Sequence, residues 1–346
     1  MALRKARGPA ERVSQAVGEA AGLGWQRGLL NLLPRGLIHE GVVLGTHIRE
    51  GRFQRSLALI AGLSSLLSGL EVTYEHYRGS YSQRIMYSPV IISVALLGAG
   101  VWGAFSRRAA RTVLPIVSLI TLLDGTIGFI FHVRGIARKP GGWRLPVFNV
   151  IMGPPVFAPL LFALSGYLGL IASLLRREDD PAHDLLPGVP RPRSAWLSWL
   201  PRGLTREGLV LDQDVREGRF QRHVAAAAAI SALFSGVEAL YSHYKNNFSY
   251  RVQWTPVLLA PALFLAGMGA LWSRTIARTL LPFLSLLALL DGAVGTFYHV
   301  RGALRRPGGL KLPLYNLIYG PPVFAPLLFA ASGFLGLLAS LLRRAD

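Results

Sequence analysis

Four of the eight histidines recur in pairs, His76 with His243 and His132 with His299, each pair separated by 167 residues. Each of the four stands near the end of a long apolar run. An imidazole there can ligate a metal or haem iron, carry a proton or cap a helix contact. Counting back from His132 at helical spacing meets Gly128, Gly125 and Thr121, and from His299 it meets Gly295, Gly292 and Ala288. From His76 the same rhythm meets Val72, Gly69 and Ser65, and from His243 it meets Ala239, Gly236 and Ala232. Steps of four, seven and eleven residues stay on one helix face, so each histidine is expected to head a smooth groove.

Such a groove has two uses. Small residues let two membrane helices approach closely, with the histidines closing the contact by hydrogen bonds. Alternatively a flat macrocycle stands between the first and third helices, with His76 and His132, and His243 and His299, as axial ligands to one haem b per half. The second pattern loosely resembles b-type cytochrome bundles, which commonly place two histidines on one helix where this chain has one. A non-haem transition metal, or no cofactor, are the other expectations. The chain has no cysteine, which excludes disulfides, thiolate metal sites and cysteine-ligated iron–sulfur clusters.

Carboxylates lie deeper in the same runs. Glu71 and Glu238 stand five residues inside the first pair of histidines, and Asp124 and Asp291 eight residues inside the second pair. Along a helix these offsets are roughly 7 and 12 Å. Ionisable groups at that depth are functional candidates by default. Glu71, His76, Asp124 and His132 supply ligand types suited to Zn, Mn or Fe. However, Asp124 points about 80° away from His132 around its helix, and Glu71 about 140° from His76, so a proton-handling role fits these four carboxylates better than direct ligation. The alternative is that each bonds a neighbouring Ser, Thr or Tyr. Arg78, Arg134 and Arg301, with Arg84, Arg138 and Arg144, form a basic rim beyond the histidines that would suit haem propionates or an anionic solute.

The elements that must position these residues are membrane helices. Of 346 residues 51% are apolar and 16% charged, too little polar surface for a soluble chain of this length. Apolar runs near the roughly 20 residues that a span requires cover 56–77, 87–105, 112–133 and 150–175, then 223–244, 254–272, 279–300 and 317–342. Residues 29–179 align without a gap on 196–346, and more than half of the positions are identical. The expected fold is therefore an all-α integral membrane protein of eight spans, as two tandem parallel four-helix repeats. Residues 1–28 read as a basic amino-terminal segment, 29–176 and 196–346 as the repeats, and 177–195 as a Pro-rich linker. No apolar core with a small-residue cleavage site follows the first basic residues, so no cleavable signal peptide is expected.

The formal charge of +19 suggests nucleic acid, but the basic residues punctuate the apolar runs, and no nucleic-acid partner is expected. Of 37 Lys and Arg, 25 fall on the side that carries both termini and 12 on the other, which places both termini in the cytoplasm of a bacterial-type inner membrane. Ahead of each first span, 29–55 and 196–222 read as helices lying in the interface. Within them the repeated block Arg49-Glu-Gly-Arg-Phe-Gln-Arg55 reads as a snorkelling anchor. The fourth span opens on Gly153-Pro154-Pro155, and Pro159 is expected to bend it near its outer end. No Walker loop, dinucleotide fingerprint or Ser-His-Asp arrangement is visible, which argues against hydrolytic and nucleotide-driven chemistry.

Together these features lead to the expectation of an electron-transfer subunit with one haem b per half near the outer face, linked to a quinone and to other membrane or periplasmic subunits. A proton- or ion-coupled transporter or channel is the main alternative, and a structural scaffold subunit the second.

Overall fold

The computed structural model describes residues 35–179 and 210–344, with side chains from residue 40 onward. The amino-terminal segment 1–28, the linker beyond Asp179 and the side chains of His39 and His183 lie outside the described residues.

All regular structure among the described residues is helical. In the first half these helices are α1 Arg35–Arg49, α2 Gln54–Arg78, α3 Ser88–Phe105, α4 Arg107–Arg111, α5 Val113–Ala137, α6 Pro146–Ile151 and α7 Ala158–Leu174. In the second, a helical run through 210–216 precedes α8 Gln221–Lys245, α9 Trp254–Trp272, α10 Arg274–Arg278, α11 Leu280–Leu304, α12 Pro313–Tyr319 and α13 Ala325–Leu341. The bounds of α2, α5 and α7 recur 167 residues later as those of α8, α11 and α13.

Six of these helices, three per half, are long and apolar enough to cross a membrane, and the chain is a multi-pass membrane protein. Its outward faces carry large apolar side chains, with Phe105 81% and Trp272 74% exposed, a surface that lipid tolerates and water does not.

The fourth apolar run differs from its expectation. It is not one span. The helix breaks after α6, passes through Gly153-Pro154-Pro155, and resumes as the 17 residues of α7. Two consecutive prolines supply no amide hydrogens, so the chain there cannot stay helical. Pro159 does not bend α7, because it occupies the first turn, where no amide partner is needed. The same break separates α12 from α13.

Each half is a four-helix bundle. α2 packs on α3 and α7, and α5 packs on the same two neighbours, so that α2 and α5 stand diagonally opposite with little direct contact. The halves meet where α8 touches α6 and α7, and where α12 and α13 touch α2.

At the end of the bundle where α2 begins and α7 ends, the Arg-Glu-Gly-Arg-Phe-Gln-Arg block is a junction between the halves. Arg176 Nε donates to the carbonyl of Arg216 at 3.1 Å, and Arg343 Nε to the carbonyl of Arg49 at 2.7 Å. The rings of Phe53 and Phe220 stack across the junction at 6.4 Å. Ladder-like backbone bonds, Arg176 N to the Gly51 carbonyl and Arg343 N to the Gly218 carbonyl, tie the end of each fourth helix to the block of its own half.

Candidate functional site

All four recurring imidazoles are held in one way. His76 Nδ1 bonds the Met86 carbonyl at 2.8 Å, and His243 Nδ1 the Gln253 carbonyl at 3.0 Å. His132 Nδ1 bonds the Pro155 carbonyl, and His299 Nδ1 the Pro322 carbonyl, both at 2.5 Å. A carbonyl oxygen can only accept, so every Nδ1 must carry the proton. The neutral ring then keeps its lone pair on Nε2. This orienting bond is the one that fixes a ligating histidine in metal and haem sites.

The broken fourth helix explains half of this arrangement. Its prolines leave carbonyls without an intrahelical partner, and two of those carbonyls turn to the third-helix histidines. In the second half the rings of His243 and His299 stand 6.5 Å apart with their planes at 75°. Two imidazoles on opposite sides of one metal, each about 2.0 Å from it, have ring centres about 6 Å apart.

A turn that the sequence did not advertise covers each first-helix histidine. Ser80 and Tyr81 take φ of 59° and 43°, and their counterparts Asn247 and Phe248 take 52° and 46°. Side-chain-bearing residues rarely adopt this left-handed region, and consecutive pairs in both halves mark a constraint worth about 1–3 kcal/mol per residue. The turn brings Tyr81 edge-on to His76 at 6.0 Å and Phe248 edge-on to His243 at 6.1 Å. Tyr81 in turn stacks on Tyr87, and Phe248 on Trp254. Burial, with Tyr87 alongside, pushes the Tyr81 phenol above its usual value. Asn at 247 was the only local hint, since Asn tolerates the left-handed region.

The glycines do not line a groove between the first and third helices. A Cβ on Gly125 would lie 2.7 Å from the Ala163 Cβ of α7, and one on Gly292 would lie 2.6 Å from the Ala330 Cβ of α13. Gly128 and Gly295 face Pro159 and Pro326. Gly69 sits against Ser93 of α3, and Gly236 against Ala260 of α9. These contacts draw the first helix onto the second and the third onto the fourth. The expected groove is therefore filled, and in the second half His243 and His299 come together across the diagonal of the bundle instead.

Nor do the carboxylates and imidazoles assemble the four-residue metal site. Among the described residues no three of His, Cys, Asp or Glu come together as an ion site. Asp124 accepts a hydrogen bond from Ser88 at 2.6 Å and Asp291 one from Thr255 at 2.5 Å, each at the opening of the second long helix of its half. Glu238 crosses to the other half, where its Oε1 accepts from the amide of Phe157, the residue that precedes α7. Glu71 correspondingly approaches the backbone of Phe324, ahead of α13. All four carboxylates thus sit at helix N-termini, where orphan amides and the helix dipole favour negative charge.

Of the expected basic rim, Arg78 pairs with Glu75 at 3.1 Å. Arg134 and Arg301 are exposed, two residues beyond the histidines of the third helices. Comparison of the chain with protein-family models, with curated proteins and with solved structures finds no match.

Proposed function

We propose that each half holds one haem b between its paired imidazoles, so that the protein is a membrane electron-transfer subunit. The reading rests on the four-fold recurrence of one tautomer, with Nε2 left as the free donor on every ring. Haem is favoured over a bare ion because the macrocycle supplies four nitrogens and needs only two protein ligands. An ion alone would need a third or fourth ligand of the kind that the described residues do not gather here. Bound haem supplies one-electron chemistry. The chain's own part is to hold the rings, shield them with Tyr81 and Phe248, and present Arg78, Arg134 and Arg301 to the propionates.

In the same reading α7 and α13 complete eight crossings. Both termini are cytoplasmic in an inner membrane, and the two haems lie at one depth near the outer face. Electrons then leave sideways or outward, to a membrane or periplasmic partner. The test is an absorption spectrum of the purified full-length chain, oxidised and dithionite-reduced, with iron analysis. A reduced-minus-oxidised Soret shift and α-band are expected, lost in the double variant His132→Ala with His299→Ala. Iron-free, colourless protein from haem-replete cells would end the proposal.

A further inference from the structure

The connection from α5 to α7, and its copy from α11 to α13, are built alike and stand at the end of the bundle that carries the paired imidazoles. No acidic residue intervenes between Asp124 and Glu178 or between Asp291 and Asp346, whereas Arg138, Lys139 and Arg144 fall in the first connection and Arg305, Arg306 and Lys311 in the second. Among the described residues none of these six has an ion pair, and Glu75, at the same end, is held by Arg78 at 3.1 Å. The side chains between them are large, apolar and uncovered. Trp143, Leu145, Val147 and Phe148 are each more than half exposed, as are Leu310, Leu312, Leu314 and Tyr315 in the copy.

That exposure is fixed by the fold. Gly141 and Gly142 take φ of 80° and 46°, and Gly308 and Gly309 take 85° and 46°, a left-handed turn that glycine permits. Asn149 is buried and donates through Nδ2 to the carbonyls of Pro140 at 3.1 Å and Gly142 at 2.8 Å. Asn316 does the same to Pro307 at 3.3 Å and Gly309 at 3.0 Å. Val147 lies about 160° around α6 from Asn149, so the pinned face points in and the apolar one out. Irregular backbone is not tolerated in the hydrocarbon region, and large apolar side chains held open are not favoured in water. The headgroup layer accommodates both, and it is continuous with the lipid-facing side of α5, where Ile127 and Ile130 are exposed. Basic side chains at that depth reach phosphates while their apolar neighbours reach the acyl chains.

We propose that these two connections lie in the headgroup layer at the imidazole end and bind anionic phospholipid. Arg138, Lys139 and Arg144 on one, and Arg305, Arg306 and Lys311 on the other, receive the negative headgroup, and the apolar edge of each seats against the acyl chains. An acidic soluble protein would meet the same cations, but it would not match two apolar edges that continue the lipid-facing surface of the spans. The proposal rests on the membrane assignment alone and stands whether or not the imidazoles bind haem.

The chain has no cysteine, so a single thiol can be introduced and labelled without competition. Val147→Cys and Leu314→Cys, each in the full-length chain with a nitroxide label, are reconstituted in vesicles of phosphatidylcholine and phosphatidylglycerol. Their labels are expected to collide several-fold more often with dissolved oxygen than with a water-soluble nickel chelate. Trp143 gives a second readout, the part of the fluorescence that Trp143→Phe removes. Brominated phosphatidylglycerol should quench it at a several-fold lower mole fraction than brominated phosphatidylcholine, and the triple variant Arg138→Gln, Lys139→Gln, Arg144→Gln should lose that preference. Should the triple variant fail to fold, added salt screens the same charges in the wild-type chain and should shrink the preference. Labels that meet the nickel chelate more than oxygen would overturn the proposal, as would labels shielded from both by a covering protein. Equal quenching by the two lipids, or a preference that survives in the triple variant, would overturn it as well.

Discussion

Gly51 and Gly218 meet across the junction of the two halves: a Cβ on either would lie 2.9 Å from the backbone nitrogen of the other. Both take left-handed φ, 68° and 69°, which only glycine adopts without strain. Gly51→Ala and Gly218→Ala should therefore each destabilise the protein by about 1–3 kcal/mol, through strain and through separation of the arginine–carbonyl bonds. Denaturant titration in mixed micelles measures this. A midpoint equal to wild type would show that the halves do not depend on this contact.

The two imidazole pairs belong to separate bundles, so their losses should be independent. His243→Ala is expected to halve the haem and leave the remaining α-band at its position, and His76→Ala likewise. Haem content per chain by pyridine haemochrome is the check. Complete loss from either single variant would mean that one cofactor is shared, against the proposed arrangement.

Glycines on the long helices are not equivalent. At Gly125 and Gly292 an added side chain meets the fourth helix, so Gly125→Leu and Gly292→Leu should each destabilise by about 1–3 kcal/mol or more. A Cβ on Gly98 meets nothing within 4 Å, and Gly98→Ala should be neutral or stabilising by up to about 1 kcal/mol. Melting midpoints of the three variants side by side decide the matter, and uniform behaviour would contradict the packing described.

His47 makes the junction of the two halves sensitive to acid. Burial, with the Arg52 guanidinium alongside, holds its imidazole below the usual 6.5. A depressed value means that the unfolded chain binds a proton more readily than the folded one. Stability is therefore full above about pH 6.5 and falls as the pH drops below it toward the folded-state value. His47→Gln should flatten the dependence of the melting midpoint between pH 7 and 5.5. The equivalent position holds Asp214, which pairs with Arg219 at 3.0 Å. His47→Asp should accordingly supply the same partner to Arg52, reverse the pH trend and add about 0.5–1 kcal/mol at neutral pH. An unchanged pH profile in both variants would remove His47 from the account.

Much of the architecture is legible in the residues. The three long helices of each half fall close to the apolar runs, because contact with lipid imposes apolarity on every turn and local counting finds it. The fourth run is less regular than its apolarity implies: hydropathy counts apolar residues and ignores missing amides, so the run 150–175 takes in the end of α6, the Pro154-Pro155 break and α7 together. The recurrence of His76, His132 and their copies was likewise visible. Their shared tautomer was not, because it depends on carbonyls of Met86 and Pro155 that the chain delivers from other elements.

What the amino-acid order determined by itself is what neighbours along the chain decide: membrane-spanning helices, a pattern written twice, histidines near helix ends and carboxylates at depth. What only the tertiary structure decided is who faces whom. Gly125 could have met the first helix or the fourth, and Glu238 could have served its own histidine or the amide of Phe157 in the other half. Helical periodicity sets the direction of a side chain around its own axis, and it carries no information about which helix stands there. That depends on the diagonal placement of α2 and α5 and on the junction of the two halves, which arise from contacts between residues far apart in the chain.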